Sequence, residues 1–171
     1  MNSQRPTRYL VLKVSLTMFI AGVVWGQGTT NHSAGRNLAE MKFGVVPGIP
    51  SCSTAAVHNG NPAEGPSVIA VKAETGCTVP WHWHTPNEHL MIVKGVARLE
   101  MKDAKPLTLR AGGYALMPAR HVHQFHCASA CLFYVYSDAA FDTHYVDGQG
   151  KEVSLDDALK PVKQAAPTKT R

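Results

Sequence analysis

The chain has 171 residues, 44% of them hydrophobic, with 17 Lys and Arg against 12 Asp and Glu for a formal net charge of +5. Residues 27–150 hold nine basic and nine acidic side chains, so the positive excess sits in the two ends. A nucleic-acid binder needs a clustered basic face, and this chain shows none.

The first 26 residues read as a signal peptide. Arg5, Arg8 and Lys13 form a positive start with no acidic residue before Glu40, and Val14–Trp25 is an apolar run of a dozen residues. A membrane span needs about twenty such residues. Val24-Trp25-Gly26 suits cleavage after Gly26, and the first cysteine, Cys52, lies too far on for a lipid anchor. The alternative is an uncleaved membrane anchor. On the first reading the mature protein is exported, periplasmic or extracellular, with no stable membrane association. Residues 27–39, rich in Gln, Gly, Thr, Asn and Ser, are expected to be a flexible leader before a folded domain over 40–150.

Within that domain, short runs rich in Val, Ile, Leu and aromatics recur between Gly, Pro and Asn, the pattern of a small all-β sandwich or barrel. Strands are predicted at 42–46, 67–73, 79–84, 89–94, 97–101, 106–110, 114–117, 122–127, 132–137 and 143–146. Lys94-Gly95-Val96 and Lys102-Asp103-Ala104-Lys105 mark hairpins. Ser154 is placed to cap a short helix reaching Lys160, with Asp156 and Asp157 in its first turn. Beyond Pro161 the composition cannot bury an apolar face, so a disordered tail is expected.

Four cysteines, Cys52, Cys77, Cys127 and Cys131, allow three disulfide pairings, and an exported chain meets conditions that permit them. On one continuous strand Cys127 and Cys131 would lie about 13 Å apart, too far to bridge. A hairpin through Ala128-Ser129-Ala130 would bring them together, which favours Cys127–Cys131 and leaves Cys52–Cys77. Buried free thiols are the alternative.

Chemistry concentrates between Gly76 and His123, and six of the nine histidines fall within 82–126. Side chains alternate between the faces of a strand, so His82 and His84 point the same way. Glu88 shares their parity across the turn Thr85-Pro86-Asn87, and His123 supplies a fourth donor. Imidazole nitrogens and a carboxylate oxygen suit first-row divalent metals. His89 and His126 are out of phase with the ligands and should face away. His121 shares the face of His123 and is the one weak candidate for a catalytic group. Leu90, Ile92 and Phe125 should line an apolar wall, with Trp81 and Trp83 on the opposite face.

The stretch Gly76, His82, His84, Glu88, Gly95 resembles the first conserved motif of the cupin superfamily at every fixed position. Gly112, Pro118 and His123 resemble the second. Arg120 stands where that motif usually has glycine, and Cys127 where it has asparagine. Arg is expected to accept the turn only with a negative φ. The resemblance implies a small single-domain cupin: an all-β jelly-roll barrel (double-stranded β-helix) with a short C-terminal helix or disordered tail.

It further implies one divalent transition metal, Mn, Fe, Ni, Cu or Zn, held by His82, His84, Glu88 and His123. Six-coordinate Mn or Fe would keep two positions open, whereas four ligands would close a tetrahedral Zn site. The activity implied is a metal-dependent, dioxygenase-like oxidoreductase acting on a small oxygen-bearing substrate. A non-catalytic metal- or small-ligand-binding or sensing module is the alternative, as is a cupin isomerase, decarboxylase or lyase. A small-molecule ligand and a homodimer are the partners implied.

Overall fold

The computed structural model describes residues 35–160. The expected signal peptide, most of the leader and the tail beyond Lys160 lie outside the described residues. After a short 3-10 turn at Leu38–Glu40 come ten strands: β1 Ser53–Gly60, β2 Ser67–Ala73, β3 Thr78–Trp83, β4 Glu88–Lys94, β5 Val96–Met101, β6 Leu107–Arg110, β7 Tyr114–Met117, β8 His123–Cys127, β9 Cys131–Ser137 and β10 His144–Tyr145. They form two five-stranded sheets, ordered β1-β2-β9-β4-β7 and β10-β3-β8-β5-β6. Every pairing is antiparallel. Among the described residues the one α-helix is α1, Leu155–Ala158, where the Ser154 hydroxyl accepts from the Asp157 amide as its composition predicts. No helix among the described residues is long and apolar enough to cross a membrane.

Alternation along the strands builds the interior. On β4, Glu88, Leu90 and Ile92 are buried while Val93 and Lys94 are exposed, and on β8 His123, Phe125 and Cys127 point inward. Leu99, Met117 and Cys127 are sealed in the core, and the rings of Phe125 and Phe133 meet from opposite sheets at 4.8 Å. Gly95 turns β4 into β5 at φ 94°, and a Cβ there would lie 2.3 Å from the Ala130 carbonyl oxygen. Only glycine meets both demands.

Two expectations need correction. The strand predicted at 42–46 is reduced to one bridge, Gly44 to Ala55, and its place at the sheet edge is taken by β1. The Cys127–Cys131 disulfide is also absent: both are buried free thiols, while Cys52 and Cys77 are bonded. The reason is topological. The chain crosses from one sheet to the other between β8 and β9, so Cys127 pairs with Ala97 and Cys131 with Ala73 rather than with each other. Burial pushes both thiols up, further suppressing thiolate.

The Cys52–Cys77 bond ties the start of β1 to the start of β3 across a sequence separation of 25. Loop-closure entropy for that length gives about 3 kcal/mol of stability. A Cys52→Ala, Cys77→Ala double variant should lose that amount in urea unfolding, and Cys127 and Cys131 should react with thiol reagents only as the protein unfolds.

Candidate metal centre

The register brings the four predicted donors together. His82 on β3 lies directly opposite His123 on β8, and His84 follows one residue past the end of β3. The turn at 85–87 then carries the chain to the other sheet, where Glu88 opens β4. Asn87 fixes this turn: its amide donates to the Asp138 carboxylate at 2.7 Å, and its side-chain oxygen accepts from the Ala119 amide at 3.0 Å. All four residues are buried, and one donor atom from each lies within 4.8 Å of all the others.

Each imidazole is held by its far nitrogen. Nδ1 of His82 donates to the Pro80 carbonyl at 2.6 Å, that of His123 to the His121 carbonyl at 2.9 Å, and that of His84 to the Asp142 carbonyl. Three backbone acceptors thus select the Nδ1–H tautomer and leave Nε2, with its lone pair, facing the centre. Glu88 Oε2 lies 3.1 Å from Nε2 of both His84 and His123. Even so, Glu88 Oε2 and His84 Nε2 are buried without a hydrogen-bond partner. Buried polar atoms are rarely left so. A shared cation satisfies both, and the donor set fits one.

Taken by themselves, the four side chains set one another's charge. Burial would raise the Glu88 carboxyl, but the neighbouring His84 and His123 rings override it and hold the group well below the usual carboxylate range. Burial would depress His84, yet the Glu88 carboxylate outweighs it and raises the ring above its usual 6.5. His82, pressed by burial and by the other two rings, falls well below 6.5.

The cluster lines a cavity of about 520 Å³ between the two sheets. Leu90 and Phe125 line it as expected, and Ile92 is buried in the adjoining core. His89 faces outward, bonded to the Tyr114 hydroxyl at 2.7 Å, and His126 meets the Thr78 hydroxyl at 2.8 Å. Trp83 lies outside, stacked on His144 at 3.9 Å. His121 does not line the cavity: its Nε2 lies 3.2 Å from the Lys102 carbonyl, and its contribution to the site is the carbonyl under His123.

Sequence reasoning missed two residues. Phe141 stacks on His84 at 4.2 Å, and Asp142 holds the same ring through its carbonyl while its carboxylate accepts from the Thr85 amide and hydroxyl. Both belong to an irregular segment ahead of β10, where no periodic pattern marks a position. At the rim, the Tyr145 hydroxyl donates to the Gly48 carbonyl at 2.8 Å, tying down the segment before β1; burial pushes this phenol up to about 12.

Arg120 corrects a further expectation. Its φ is 61°, in the left-handed region, and not negative. Its amide donates to the His84 carbonyl at 2.8 Å, and its guanidinium lies over Trp83 at 5.2 Å, outside the cavity. Backbone strain and cation–π attraction oppose each other at about 1 kcal/mol each, so Arg120→Gly should change unfolding stability little. Arg120→Val, with a branched Cβ in that conformation, should cost about 2 kcal/mol.

The cupin domain family matches residues 70–136, the span containing all four donors. No curated protein matches the sequence. Among solved structures, the polyketide cyclase RemF from Streptomyces resistomycificus is 15% identical, with a TM-score of 0.60, covering 68% of this chain and 87% of its own. An RmlC-like cupin from Ralstonia eutropha JMP134 is 16% identical, with a TM-score of 0.58, covering 72% and 78%. Another from Shewanella frigidimarina NCIMB 400 is 13% identical, with a TM-score of 0.54, covering 64% and 92%. Identities this low speak for fold alone. Residues 70–136 thus match a cupin domain, and the paired antiparallel sheets and the three-histidine, one-glutamate cluster agree with that match.

Proposed function

We propose that His82, His84, Glu88 and His123 hold a single divalent transition metal, and that the protein is an exported, metal-dependent oxidoreductase acting on a small oxygen-bearing organic molecule. The observation that carries the reading is the donor arrangement: three imidazoles anchored at Nδ1 and turned inward around a carboxylate oxygen with no other partner. Three neutral rings and one carboxylate leave the site one positive charge against a divalent ion, so an oxygen bearing partial or full negative charge is favoured there. The ion, when bound, supplies Lewis acidity and redox capacity.

The protein's own part is to orient, to enclose and to exclude water. Phe141 covers one face of His84, and Leu90 and Phe125 keep the adjoining space apolar. Among the described residues, Asp142 is the only ionisable side chain lining the cavity apart from the four donors, and its carboxylate is engaged by Thr85 and His144. An isomerase or lyase needs a free proton-transfer group, and this lining offers none; that favours the oxidoreductase reading. The Cys52–Cys77 disulfide and the apolar run at 14–25 support export.

The test is to load the purified protein with Mn, Fe, Ni, Cu and Zn in turn and to follow oxygen uptake with β-diketones, flavonols, catechols and oxalate. Turnover with at least one redox metal is expected. Tight metal binding with no turnover on any substrate class would instead favour the binding-module reading.

A further inference from the structure

The cavity lining says which substrates can be accommodated, an inference that rests on the proposed role of the cavity as the substrate site. Beyond the donor cluster, the walls are mainly aliphatic and aromatic, with Ile69, Val71, Leu90 and Phe133 among them, and the polar exceptions are Ser53, Asp142 and Thr143. No Lys, Arg, Asn or Gln lines the cavity among the described residues. Its one charged side chain outside the cluster is Asp142, whose backbone carbonyl holds His84 while its anionic carboxylate is engaged by Thr85 and His144.

At the mouth Val46 and Val57 line the cavity while 39% and 42% exposed, and the charge exposed among the lining groups there is the Asp142 carboxylate, which is anionic. Exposed valines at a cavity rim present no charge to an approaching ligand. Polar side chains are therefore few, and most of the lining is hydrocarbon. A ligand whose oxygens reach the cluster must lay the rest of its body against hydrocarbon. A second charge there would be buried with no partner, at a large cost in free energy.

From this we propose that the substrate is a molecule polar at one end only, with oxygen atoms for the cluster and an uncharged, apolar aryl or alkyl body. Molecules carrying a further carboxylate away from the coordinating oxygens, and small dianions such as oxalate, are excluded. A cavity of about 520 Å³ suits ligands of drug size rather than two-carbon acids.

Benzoylacetone and its para-carboxylated derivative share the same diketone end and differ only in a remote charge. Calorimetric titration into the loaded protein should show the neutral compound binding about a hundredfold more tightly or better. The same preference should persist, at lower affinity, after the metal is removed with a chelator. Because the ratio is read in both states, it stands apart from the metal assignment. Failure of the ligand set would appear as protein that takes up no ion, with the preference for the neutral compound unchanged. Equal affinities, or tighter binding of the carboxylate, would overturn the proposal even where metal content is full.

Val57→Lys changes an exposed rim position and should leave folding intact. It should shift the ratio toward the carboxylate by about tenfold, as a new cation near the mouth pairs with the remote charge. A ratio unmoved by that substitution would place the ligand elsewhere and sink the assignment.

Discussion

Replacing His123 by Ala is expected to lower divalent-metal affinity by about a hundredfold or more, since four ligands share a total binding free energy of about 10–16 kcal/mol in comparable structural sites. His123 is 2% exposed and its Nδ1 is pinned, so its loss removes a donor already held in place. His84→Ala should cost as much and also strip Phe141 of its stacking partner. His89→Ala is the control. That ring faces out toward Tyr114, and its loss should leave metal content unchanged. Elemental analysis after dialysis against a weak chelator reads all three. Undiminished metal in the His84 and His123 variants would remove the ligand assignment.

Acidification should expel the ion, and the window follows from His84. Burial works to depress this ring, but the Glu88 carboxylate prevails and holds its proton affinity above the usual 6.5. Metal must displace that proton. Apparent affinity should therefore rise about tenfold per pH unit up to the raised His84 value and level off above it. His82 is depressed well below 6.5 and is already neutral across this range, so it adds no slope.

The metal-free protein responds in the opposite sense near neutrality. The His84–Glu88 interaction contributes stability that is fully present below 6.5 and is lost as pH rises through the folded His84 value. Glu88, depressed from 4.5, contributes stability that is present above 4.5 and is lost as pH falls through its folded value. His82, likewise depressed, contributes stability above 6.5 that fades as pH falls toward its folded value. Loading with metal should thus raise the melting temperature most at mildly alkaline pH. Competition with a chromophoric chelator from about pH 6 to about pH 8 measures the first effect across the histidine range, and calorimetric melting with and without ion measures the second. Affinity independent of pH would contradict the raised His84.

How much was legible in the sequence depended on whether a position obeyed a period. The donors were, because strand alternation and a three-residue turn place His82, His84 and Glu88 together, and β7 and β2 emerged at their observed bounds. β1 was not. Its Ser-Thr-Ala-Ala-Val-His-Asn-Gly carries few large apolar groups, and a bulge at Val57–Asn59 interrupts its alternation. Phe141 and Asp142 were invisible for a different reason: they act through a ring face and a backbone carbonyl, which no residue-type pattern encodes. The positive φ of Arg120 was missed because the His84 carbonyl and the Trp83 face that hold it there come from a distant turn.

The loop bearing Phe141 and Asp142 also forms part of the cavity wall, with the Phe141 amide fastened to the Pro62 carbonyl at 2.7 Å. One short piece of chain therefore serves as doorframe and as handle on a coordinating ring. Remodelling it to admit a different guest would also tilt that ring, so selectivity and metal preference in this protein cannot be engineered independently.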